Sequence, residues 1–182
     1  MTTVSSHRVQ GLAKQFDQTV DEFASFVATL TPEEWIRRGK NSPIWSLGAD
    51  EKRSVGVIAY HAASVIGIHT SMLREALAGR RMLGDGRWEV EGVAEWNASV
   101  AQDKAGVSPI DVLSELRTNA AAALDLFASL DDAALDTPAT DVDRAAVGPF
   151  YPTLRTLGQF IDEAVVGHVR VHRESLRATV GR

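Results

Sequence analysis

Hydrophobic positions along this chain recur in steps of three and four. Val9, Leu12, Phe16, Val20, Phe23, Val27 and Leu30 form the first series, the pattern of a helix with one apolar face. Thr31-Pro32-Glu33-Glu34 interrupts it. Thr31 suits an N-cap and Pro32 the first turn of a new, short helix, where no N–H is needed. The polar stretch from Arg37 to Asp50, with Gly39, Pro43 and Gly48, predicts a loop, with Trp35 and Ile44-Trp45 folding back onto the core. A second long helix is predicted from about Glu51 to Ala78, ended by Gly79. It carries Val57, Ile58, Val65, Ile68 and Met72 on one side and Val55, Ile66, Leu73 and Leu77 on the other. A face that wide needs two neighbouring helices to cover it.

Arg80 to Gly92 contains Gly84, Gly86 and mixed charge and predicts a loop, followed by a short helical turn from Val93 to Gln102. Ser108-Pro109-Ile110-Asp111 is a further helix start. Leu113, Leu116, Ala120, Phe127 and Leu130 continue that helix. A loop from Thr137-Pro138 to Pro149-Phe150-Tyr151-Pro152 leads to a fourth helix, from about Thr153 to Thr179, with Leu154, Leu157, Ile161, Ala164 and Leu176 inward. No segment alternates as a strand does. Four long helices in one chain of this length predict a single all-α domain over residues 1–182, a four-helix bundle with short accessory helices. A faint echo supports a paired arrangement: Phe26 to Trp35 resembles Phe127 to Leu135, as two similar helical hairpins would.

The chain has 182 residues, is 45% apolar and 24% charged, and has a formal net charge of −5. That is ample for one core. An acidic balance, with a pI near 5.5, speaks against nucleic acid as a partner. The absence of cysteine excludes disulfides, thiolate metal sites and a cysteine nucleophile. The N-terminus, MTTVSSHRVQ, lacks the apolar core of a secretory signal. The most apolar run, Val55 to Ile68, is interrupted by His61 and Ser64 and is short for a bilayer span. The expectation is a soluble, cytoplasmic protein, without membrane partners, that acts on a small molecule. A homodimer through an exposed helix face is compatible with the sequence. Arginine outnumbers lysine 15 to 4, which points to a GC-rich genome more than to a function.

Candidate chemistry lies in the five histidines, His7, His61, His69, His168 and His172. On a helix at about 100° per residue, Leu154, Leu157, Ile161, Ala164 and His172 all fall within roughly 40° of His168. Both imidazoles then point inward on adjacent turns. An H-x-x-x-H pair so placed can hold one metal ion from one helix face, as the HExxH spacing does, although Val169 stands where that motif has its glutamate. The alternative is two core histidines, each satisfied by a neighbour. With no carboxylate on the same stripe, that is the harder arrangement to satisfy. A third ligand must come from the second helix, where His61 and His69 both lie on the broad apolar face. They are eight residues, about 12 Å, apart along the axis and cannot share one ion; periodicity does not choose between them. His7 is expected to precede the first helix and to be exposed. Carboxylate motifs of a dinuclear site are missing, so a mononuclear site is favoured.

Two segments resemble a known family. Gly56-Val57-Ile58-Ala59-Tyr60-His61-Ala62-Ala63 is similar to the first-ligand segment of the DinB/YfiT-like superfamily, and Gly167-His168-Val169-Arg170-Val171-His172 to its H-x-x-x-H segment near the end of the fourth helix. The resemblance spans essentially the whole chain. It implies an up-down-down-up four-helix bundle and a metal site of His61, His168 and His172. Relatives include thiol S-transferases that use bacillithiol or mycothiol, and mycothiol-dependent maleylpyruvate isomerase. That isomerase has Glu-x-x-x-His where His168 begins the segment here, and carries a further C-terminal domain, so its reaction is not the one implied.

Three neutral imidazoles leave a divalent ion with an open position, the pattern of a catalytic site. Zinc is the default; nickel, iron or manganese also suit imidazole. The expected chemistry is attack of an external low-molecular-weight thiolate on a small electrophile, with metal-assisted hydrolysis as a variant and a non-catalytic metal- or ligand-binding stress protein as the rival. Arg80, Arg81 and Arg87 are candidates for holding an anionic substrate, although a solvated loop accounts for them. Trp88, Trp96 and Asn97 are candidate pocket residues, although packing accounts for the aromatics. Asp162 and Glu163 fall off the histidine stripe and are expected to be solvated or outer groups.

Overall fold

Side-chain caps set the ends of the helices. In the computed structural model, which describes residues 6–39, 53–80, 82, 90–139 and 155–182 (the backbone alone at 90–94), Ser6 accepts from the Val9 N–H to start α1 (His7–Ala28). Thr31 and Glu34 cap each other's backbone around Pro32 and start α2 (Pro32–Ile36). Ser54 starts α3 (Val55–Leu77), which stops before Gly79 at φ +70°, a left-handed conformation that glycine adopts at least cost. α4 spans Val90–Asp103. Ser108 and Asp111 form a second capping box at the start of α5 (Pro109–Ala128), and Asp131 caps α6 (Asp132–Asp136). The last helix is continuous but not uniform. One α-turn, α7 (Leu157–Gln159), leads into a π-helical stretch (Phe160–Val166) and then α8 (Gly167–Val180). The described residues are otherwise turns and two isolated β-bridges, Arg38 with Ser54 and Pro138 with Thr156. The all-α expectation holds.

Two differences from the sequence expectation stand out. α4 is a helix of 14 residues, not a short turn; Gly92 lies within it, at a cost of about 1 kcal/mol relative to alanine that does not end the helix. The predicted uniform fourth helix contains the π-helical stretch, where the Gly167 N–H reaches back five residues to the Asp162 carbonyl. Leu154, Ile44 and Trp45, expected in the core, lie outside the described residues.

α1 packs on α5 and α8, and α3 packs on the same two helices from the other side. The core includes Phe16, Phe23, Ile58, Ile66, Leu73, Leu116, Phe127, Phe160 and Ile161. Phe16 meets Phe127 edge to face at 5.5 Å. α3 is buried nearly all round, as its two-sided apolar pattern predicts. By length and mean hydropathy α3 could cross a bilayer, but 72% of its most apolar window is covered by the rest of the fold. Its contact with α5 relies on a close approach at Gly67, where a Cβ would come within 2.9 Å of the Asn119 amide oxygen. The Asn119 amide donates to the Ala63 carbonyl at 3.1 Å.

The echo between the chain's halves is structural. Thr29 and Ser129 each fold a hydroxyl back to the carbonyl three residues earlier, closing α1 and α5. Trp35 in α2 and Leu135 in α6 occupy equivalent buried places. Gly39 N–H donates to the Arg53 carbonyl and Val55 N–H to that of Arg37; Ala139 with Arg155 and Leu157 with Thr137 repeat the pattern. Gly56 and Gly158 then leave room for the buried residue of the preceding short helix. A Cβ at Gly56 would lie 2.6 Å from the Trp35 indole, and one at Gly158 would lie 3.2 Å from the Leu135 carbonyl oxygen. Each half is a long helix, a short helix and a backbone clasp onto the next long helix.

Candidate metal centre

Burial of His61 follows from α3 being covered nearly all round, and burial of His168 and His172 from their four-residue spacing on the inner face of α8. Packing of α3 against α8 brings the three imidazoles together. His168 Nε2 stands 3.2 Å from His61 Nε2. The His172 ring centroid lies 4.5 Å from that of His168 and 4.9 Å from that of His61. One ring nitrogen from each residue lies within 4.8 Å of the others. Two nitrogens at zinc-bond lengths of 2.0–2.1 Å in a tetrahedron are about 3.3 Å apart, so the His61–His168 separation suits two ligands of one ion. The donor set is also right in kind, since imidazole must be neutral to coordinate. Burial, foremost, holds the His61 and His168 rings well below the ordinary histidine range; His172 and the Arg53 guanidinium push both further the same way. Both are therefore neutral at physiological pH. The three histidines could together hold one metal ion.

His69 is buried as well, but does not join this trio. Its ring meets His168 edge-on at 5.4 Å and Phe160 at 5.5 Å. Burial lowers its pKa to about 4, against the opposing effect of a hydrogen bond to the Ala164 carbonyl, inside the π-helical stretch. Of the two histidines that periodicity left equivalent, His61 is thus the one that faces His168 and His172. His7 is exposed at the first position of α1, rather than before it.

The other candidates separate clearly. Arg80 pairs with Glu75 on the surface, whereas Arg81, Arg87 and Trp88 lie outside the described residues. Asp162 is exposed and accepts from the Gln15 amide. Trp96, on α4, is half-buried with its ring 5.3 Å from that of His61, and the neighbouring Asn97 favours the protonated form of the same imidazole. Packing thus accounts for the indole, but the surface it packs on is the candidate site. Arg53, which the sequence did not single out, is half-buried beside the N-cap of α3, and its charge acts on both His61 and His168. Its position eight residues before His61, close to two helical turns on, was the one available hint.

The DinB superfamily model matches residues 15–176 of the chain. The chain belongs to the DinB superfamily. No curated protein matches it, and neither does a solved structure.

Proposed function

We propose that this protein is a mononuclear metal-dependent enzyme that joins a low-molecular-weight thiol, of the mycothiol or bacillithiol kind, to a small electrophile. The observation that carries the reading is the convergence of three buried imidazoles, His61, His168 and His172, with ligating nitrogens within 4.8 Å of one another. Zinc is the first choice of ion, with nickel, iron and manganese as the others that an all-imidazole set accepts. A divalent ion held there supplies the Lewis acidity that lowers the pKa of a thiol or a water molecule toward neutrality. The chain has no cysteine, so the thiol comes from outside.

The residues around the trio suit that role. His61 and His168 are kept neutral by burial and are ready to bind without first losing a proton. Arg53 adds positive potential at His61 and His168, which favours an anionic ligand such as a thiolate beside them. Trp96 covers one side of His61 and helps exclude water. Low-molecular-weight thiols of this kind are cytoplasmic solutes, so the cytoplasm is the compartment this reading requires.

Elemental mass spectrometry on untagged protein tests the first half of the proposal. Wild type should carry close to one equivalent of metal, and His61→Ala, His168→Ala and His172→Ala should each carry almost none. Absence of metal even after loading with zinc, nickel or manganese would leave three core histidines and sink the enzyme reading. The second half is tested by following thiol consumption by metal-loaded protein with model electrophiles. Hydrolysis without thiol consumption would reassign the same site to a hydrolase. Metal without either activity would favour a binding protein.

A further inference from the structure

The cluster of imidazoles has an edge that its own members do not satisfy. Since His61 Nε2 is the nitrogen that faces His168, its Nδ1 points the other way. That Nδ1 is buried and makes no hydrogen bond. A neutral imidazole that offers its Nε2 lone pair carries its proton on Nδ1, so this atom is a donor. On α4, next to the Trp96 indole that packs against His61, the Asn97 Oδ1 is also buried and makes no hydrogen bond. An amide oxygen is an acceptor only. A buried donor and a buried acceptor, each without a partner of its own, thus sit on two neighbouring elements around one ring. Both are costly to leave unmade, and each is what the other lacks.

We propose that Asn97 is the positioning residue for His61: its Oδ1 accepts the Nδ1–H, which fixes the tautomer with the lone pair on Nε2 and aims that nitrogen at His168 and His172. The Asn97 side chain lies within interaction range of His61, so the donor and the acceptor are in reach of each other. Metal-binding histidines are commonly held in this way by an acceptor on the second ring nitrogen. The part of the inference that concerns metal affinity rests on the proposed metal site; the part that concerns the tautomer does not. It also gives α4 a purpose beyond covering the core, because the helix would carry the group that orients a ligand from α3.

Two measurements test it separately. Long-range nitrogen–proton NMR on metal-free, nitrogen-15-labelled protein reads the tautomer of His61 directly. Wild type should show the proton on Nδ1; Asn97→Leu, which keeps the branched outline and removes the acceptor, should show a mixture of tautomers, and Asn97→Asp should restore a single one. Competition for zinc against a chelator should then show Asn97→Leu binding on the order of 10–100-fold more weakly than wild type, with most of the loss recovered in Asn97→Asp. A wild-type His61 protonated on Nε2, or an Asn97→Leu protein with unchanged tautomer and zinc affinity, would overturn the proposal. So would equal loss in the leucine and aspartate variants, which would mean a packing role only. If wild type binds no zinc at all, the metal reading fails while the NMR comparison still decides the role of Asn97.

Discussion

At the scale of single residues, the main fact is that neutral histidines are buried where charged ones could not be. His69 shows the consequence for stability. Its pKa is lowered from 6.5 to about 4 in the folded state, so between those values the unfolded chain binds the extra proton. Stability therefore rises with pH across that window and is lost as pH falls through it. For His69 alone the loss amounts to roughly 3 kcal/mol by pH 4, and His61 and His168 act in the same direction. Urea unfolding of metal-free protein at pH 7 and pH 5 should show a lower midpoint at pH 5, and a His69→Phe variant should show a smaller difference. Gly56 is a second sensitive residue. Gly56→Ala forces the Trp35 indole to move and strains its hydrogen bond to the Val107 carbonyl; a loss of about 1–3 kcal/mol is expected from overpacking of this kind, read from the same unfolding curves. The inward aim of His168 and His172 was legible in the sequence because their own helix fixes their relative direction. The choice between His61 and His69 was not, because α3 is buried nearly all round and only its contact with α8 decides which ring meets which. Arg53 was hidden for the same reason, and Asn97 was visible only as a candidate pocket residue: each matters through another element.

At the scale of elements, the π-helical stretch is the feature that periodicity overlooked. Buried residues at Phe160, Ile161, Ala164, Val165 and Val166 read almost equally well as an α-helical face, so one residue too many in a turn leaves little trace in the pattern. The caps, in contrast, were legible, since Thr31, Ser108 and the glycine after α3 carry their signal in the residue itself. π-helical turns arise chiefly as local insertions in α-helices, often near functional sites, and here the turn sits directly before His168, with the Ala164 carbonyl tied to His69. Removing one residue from it, for example Glu163, takes out the extra residue and should leave ordinary helix with His168 and His172 aimed much as before relative to Phe160. Far-UV circular dichroism and metal content should both stay close to those of wild type. A metal content well below one equivalent would show that the π turn itself is needed to hold the histidines in place.

At the scale of the whole molecule, the two hairpins share one core, and the residue that joins them most plainly is Phe127, fully buried against Phe16. Phe127→Ala should cost about 3–5 kcal/mol and should lower the midpoint of a single unfolding transition rather than split it in two, as monitored by circular dichroism and tryptophan fluorescence together. The same division into halves bears on what a bound ion would do besides chemistry. His61 belongs to the first half and His168 to the second, 107 positions later in the chain. An ion gripped by both therefore closes a very long loop, much as a disulfide between those positions would, and a cross-link over a loop of that size restricts the unfolded chain by about 4.7 kcal/mol in the chain-entropy account. In a chain without cysteine the candidate site is thus also the place for a removable staple, and the supply of metal would govern how tightly the two halves stay closed.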